Sequence, residues 1–86
     1  MNRGKLYSSR DNKFIVDVNY KLYDESESSW RGELVPMEYK PISDGEGYVI
    51  EFQNGTRGRC SLKKKVNRAV SGVPPLYYYY FVVLNR

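Results

Sequence analysis

Eighty-six residues with one cysteine, no histidine and a formal net charge of +4 leave room for a single small domain. One thiol excludes an internal disulfide, and the missing imidazole excludes the usual catalytic triads and the commonest metal ligand. The charge is uneven: residues 1–50 carry −2 and residues 51–86 carry +6, so the basic character is local.

Residues 1–13 are polar and without periodicity, and are expected to be a flexible N-terminal leader ahead of one β domain over 14–86. They contain no apolar h-region, and no 18-residue apolar run follows, so neither export nor membrane insertion is expected and a cytoplasmic location is. Phe14–Tyr23 then alternates cleanly. Phe14, Val16, Val18, Tyr20 and Leu22 form an apolar face, with mostly polar residues between them. Asp24–Ser29 is a polar turn, and Trp30–Val35 resumes the alternation with Trp30, Gly32 and Leu34 on one face, so an antiparallel hairpin is predicted. Pro36, which lacks an N–H, ends that strand. Met37–Ile42 reads as a connector with Tyr39 and Ile42 turned inward, and Asp44-Gly45 marks the next turn.

A second hairpin is predicted from Tyr48–Phe52, Asn54-Gly55 and Thr56–Leu62. A two-residue Asn-Gly loop would set Ile50 and Phe52 beside Arg59 and Arg57. A three-residue loop, with Gly55 left-handed at a bulge, pairs 52 with 56, 50 with 58 and 48 with 60 instead. The bulged register puts Tyr48, Ile50, Phe52, Gly58 and Cys60 inside and Glu51 opposite Arg57 outside. It is preferred because a one-residue slip would invert every side chain.

Ser61–Gly72 is ambiguous. Leu62, Val66, Ala69 and Val70 have helical spacing, but Lys63–Lys65 would load the positive end of a helix dipole with positive charge. The expectation is strand to about Leu62 and then a loop, with or without a short helical turn. Tyr77–Leu84, entered through Pro74 and Pro75, is eight apolar or aromatic residues in a row and reads as a central strand without a plain water face. The predicted fold is therefore all-β: a five-stranded antiparallel meander forming a small Src-homology-3-like barrel or a rolled sheet.

The blocks Tyr20-Lys21-Leu22-Tyr23-Asp24, Trp30-Arg31-Gly32-Glu33-Leu34 and Arg57-Gly58-Arg59-Cys60, with Val66–Tyr77, resemble a small family of uncharacterised bacterial proteins. The resemblance covers most of the chain and implies a bacterial, intracellular origin; it brings no activity with it.

No catalytic constellation, cofactor motif or metal-ligand spacing stands out, and no enzyme is expected. Asp24, Glu25 and Glu27 lack the spacing of a calcium loop and read as a solvated turn. Asn54-Gly55-Thr56 satisfies a glycosylation sequon but is better explained as turn chemistry. Cys60 is expected in the core.

Two binding functions remain. A protein-interaction or oligomerisation module would use the Tyr-rich final strand, with an unpaired edge accepting a second protomer or a peptide. A nucleic-acid module would use Arg57, Arg59, Lys63, Lys64, Lys65 and Arg68 with the tyrosines Tyr78 and Tyr80, basic and aromatic groups being what single strands require.

Overall fold

Segments that alternate apolar with polar side chains, and a last one that is apolar or aromatic throughout 77–84, build six strands among the described residues, which are 2–25, 30–67 and 76–85 of this computed structural model. They are β1 (Asn2–Ser8), β2 (Phe14–Glu25), β3 (Trp30–Pro36), β4 (Gly45–Glu51), β5 (Arg57–Asn67) and β6 (Leu76–Asn85). All pairings are antiparallel, and the sheet closes into a barrel in the order β1-β2-β3-β6-β5-β4, with β4 returning to β1. Among the described residues no helix is long and apolar enough to cross a membrane.

Two expectations are corrected here. The sheet has six strands rather than five, because residues 2–8, expected as part of a leader, are β1. Gly4 and Leu6 point inward between exposed Arg3 and Lys5, and β1 joins the edges of β2 and β4 that would otherwise stay open. The order also departs from a meander. After β3 the chain crosses to β4, which pairs with β1 and β5, and β6 fills the space between β3 and β5.

The interior follows the alternation. Val16, Val18 and Tyr20 of β2, Leu34 of β3, Ile50 of β4, Cys60 and Leu62 of β5, and Tyr79, Phe81 and Val83 of β6 are buried around Leu6. Phe52 closes one end, meeting the rings of Tyr20 and Trp30 edge-on at centroid distances of 5.2 and 5.0 Å. Phe14 departs from the expected inward face: a register shift makes Ile15 the extra residue, so Phe14 is half-exposed and packs edge-on against Tyr7.

Both predicted hairpins form. Tyr48 pairs with Cys60 and Ile50 with Gly58, while Phe52 N–H donates to the Thr56 carbonyl over 2.8 Å. Gly55, at φ +90°, donates to the Phe52 carbonyl, which is the bulged three-residue loop.

Residues 37–44 form a strap from β3 to β4. Ile42 is buried as expected, but Tyr39 is 90% exposed rather than turned inward. The strap is held at its ends: Met37 N–H donates to the Asp17 carbonyl, and the Tyr48 hydroxyl accepts from Ser43 N–H and donates to the Ser43 carbonyl. No turn of the strap buries Tyr39.

Candidate functional site

β5 does not stop near Leu62. It runs to Asn67, and its second half pairs with the start of β6, setting Lys63 opposite Tyr80, Lys64 opposite Tyr79, Lys65 opposite Tyr78 and Val66 opposite Tyr77. The expectation of strand to about Leu62 and then a loop is thus corrected as far as Asn67, and residues 68–72 lie outside the described residues, as do Pro74 and Pro75. The sequence cue of three consecutive lysines misleads because a strand sends alternate lysines to opposite faces, where an ammonium can reach water while tyrosines opposite supply the apolar neighbours.

Pairing with β4 ends at Leu62, and pairing with β3 ends at Tyr79. Beyond those points Lys65–Asn67 and Leu76–Tyr78 pair only with each other, so the two strands leave the barrel as a basic and aromatic arm, with the Lys63–Tyr80 and Lys64–Tyr79 pairs at its base. Alternation places Lys63, Lys65, Tyr78 and Tyr80 on its outer face and Lys64, Val66, Tyr77 and Tyr79 on the other. Lys63 is exposed, while Lys65, Tyr78 and Tyr80 are half-buried. On the opposite face the Lys64 ammonium sits 4.4 Å above the Tyr77 ring, and Lys64 N–H donates to Asp44 Oδ1 over 2.7 Å.

The outer face continues across the sheet. Tyr80 is opposite Glu33 on β3, and Glu33 is opposite Lys21 on β2. The Tyr23 phenol hydrogen-bonds Glu33; that bond, with burial and the carboxylate charge adding to it, pushes the phenol up to about 12. Glu33 is therefore engaged by a neighbour. Lys21 and Tyr23 were not among the candidates, since only the β3–β6 pairing brings them near β6.

The other basic candidates separate. Arg57 donates from Nε to Glu51 at 2.8 Å, donates from Nη1 to Asn12 Oδ1 at 3.3 Å, and stacks 4.2 Å over the Tyr7 ring. It lies eight residues from Lys65 along the strand, about 26 Å. Arg59 is exposed at an intermediate position on the same strand face, opposite Val49. Arg68 lies outside the described residues. The structure thus unites Lys63, Lys65, Tyr78 and Tyr80, turns Lys64 to the opposite face, and occupies Arg57 elsewhere.

Cys60 is buried, and desolvation pushes its thiol from 9.0 up to about 12, partly offset by a backbone hydrogen bond involving Ile50. The folded chain holds this proton more tightly than the unfolded chain, so the stability it contributes is complete below pH 9 and is lost as pH rises towards 12. The expected result is a thiol that ignores an aromatic disulfide reagent at about pH 8 and reacts promptly in about 6 M urea. Fast reaction of the native chain would contradict the core placement.

No protein-family model, curated protein or solved structure matches this chain.

Proposed function

We propose that this protein binds single-stranded nucleic acid on the outer face of the β5–β6 arm. The supporting observation is the pair of cross-strand contacts Lys63–Tyr80 and Lys65–Tyr78, which alternate a phosphate-binding cation with a ring that can stack on a base. Lys21 extends the positive face on the far side of Glu33. The phosphates run along the lysines, and the bases turn towards the tyrosines.

A protein-interaction role draws on the exposed Val35, Met37, Val66 and Tyr77 around the same arm. Residues 79–83 of β6 are paired on both edges, by β3 and by β5, so a partner strand could extend only the short open edge at Leu76–Tyr78. Two copies meeting by the outer face of the arm would oppose Lys63 and Lys65 with the same two lysines. A reducing, cytoplasmic setting accords with the single free thiol, and it belongs to this proposal together with the bacterial origin implied by the family resemblance.

The test is fluorescence anisotropy with labelled single strands of about 15 nucleotides, DNA and RNA, at about 50 mM salt and upward. Binding in the roughly micromolar range, weakening as salt rises, is expected. The Lys63→Gln/Lys65→Gln double variant is expected to bind more weakly and to lower the log–log salt slope by about 1.4, or 0.7 for each phosphate contact removed. Absence of binding at low salt, or binding indifferent to salt, would defeat the proposal.

A further inference from the structure

A cleft of about 610 Å³ lies where the strap approaches the arm. The end of β3 and the strap contribute Val35, Met37 and Tyr39, and the arm contributes Lys64, Tyr77 and Tyr79. Resting on the nucleic-acid reading, we propose that this cleft seats one unpaired base of the bound strand, with Tyr39 and Tyr77 as its stacking partners and the phosphates remaining outside along Lys63 and Lys65.

Three features carry the assignment. The first is room and lining: a cleft of this volume readily admits a flat heterocycle, and the rings and aliphatic groups of Val35, Pro36, Met37, Tyr39, Tyr77 and Tyr79 make up most of its wall. The second is the exposure of the aromatics. Tyr39 is 90% exposed and Tyr77 48% exposed; the Lys64 ammonium covers one face of the Tyr77 ring, and an aromatic ligand would cover Tyr39 and the face of Tyr77 that Lys64 leaves open. Tyrosines that served only the fold would be covered, as Tyr79 is at 4%.

The third is the polar lining. Glu38, Lys40 and Lys64 also border the cleft, so the edge of a seated base meets both an acceptor and donors there. Lys64, held over the Tyr77 ring, supplies a donor at the cleft that a base carbonyl or ring nitrogen could accept. Tyr77 and Tyr78 are adjacent in sequence and point to opposite faces, so one strand passing over the edge of the arm would touch both surfaces. A base locked in a duplex stack cannot enter such a cleft, so the seat selects single strands.

The experiment uses the full chain with Tyr39→Ala and Tyr39→Phe, substitutions at an exposed strap position whose folding is checked by thermal midpoint. Tyr39→Ala is expected to weaken binding of a single strand by about fivefold to tenfold with an unchanged salt slope, while Tyr39→Phe stays within about twofold of the parent. A measurement without any variant stands beside it: 2-aminopurine placed centrally in the strand should change emission on binding the parent protein. Parent-like affinity of Tyr39→Ala, or unaltered 2-aminopurine emission, overturns the base seat while leaving the lysine–tyrosine face intact if the lysine double variant still loses affinity. Failure of the parent protein to bind single strands at low salt overturns both.

Discussion

Phe81→Ala is expected to destabilise the chain by about 3–5 kcal/mol, the range measured when a fully buried aromatic ring is cut back to a methyl group. Phe81 is 0% exposed and belongs to the strand paired on both sides, opposite Gly32 on β3 and Leu62 on β5. Its ring lies 6.2 Å from that of Phe52, which in turn meets Tyr20 and Trp30, so its loss would loosen the aromatic cluster at one end of the barrel. Domains of this size are marginal, with total stabilities in the range of about 5–15 kcal/mol, so such a loss leaves little folded protein above ambient temperature. Urea unfolding followed by circular dichroism would read it. Tyr80→Ala, one residue away but on the outer face, is expected to cost no more than about 1 kcal/mol while weakening nucleic-acid binding. If both substitutions cost the same, β6 would not have the inside and outside described for it.

Residues whose partners are near in sequence disclosed their structure readily. Ile50 and Gly58, Tyr48 and Cys60, and the Gly55 bulge follow from one consideration: the slipped register would set Arg57 and Arg59 on the same face as Phe52 and Ile50. Residues whose partners are distant did not. β1 presents only Leu6 as a large buried side chain, because Gly4 approaches the Glu51 carbonyl and the Tyr20 ring too closely for any side chain, so its alternation is invisible in composition. The far half of β5 depends on Tyr77–Tyr80 for its apolar cover, and Lys63–Lys65 taken alone resemble a solvated loop. The binding face divides in the same way. Lys63, Lys65, Tyr78 and Tyr80 converge as alternation implies, but Lys21 and Tyr23 arrive only through the β2–β3–β6 pairing. Arg57 shows a register argument not carried far enough: the pairing that sets Glu51 opposite it also makes it the ion-paired end of the strand rather than part of the arm.

Gly32→Ala is expected to be as damaging as any core truncation, for the opposite reason. Gly32 is buried on β3, opposite Leu22 on β2 and Phe81 on β6, and a methyl group there would run into the Lys21 carbonyl oxygen, with the Lys21 carbonyl carbon at 2.9 Å and Leu22 Cα at 3.0 Å. These are backbone atoms, so no side chain can swing aside; β2 and β3 would have to part. The approach is close because β2 carries an extra residue at Tyr23, between the Leu22–Gly32 and Asp24–Arg31 pairs, and a bulge bends its strand locally. The same bulge places the Tyr23 phenol within hydrogen-bonding reach of Glu33, so fold and outer face share one distortion. A loss of about 3 kcal/mol or more is expected, against about 1–2 kcal/mol for Gly55→Ala, where the positive φ is the only obstacle and nothing lies within 4 Å of the added carbon. Where Gly32→Ala retains enough folded protein to titrate, the Tyr23 phenol should fall from about 12 towards its ordinary 10.0, visible in the alkaline ultraviolet absorbance. A variant as stable as the parent, with the phenol unmoved, would mean that β2 and β3 do not approach as closely at Gly32 as described.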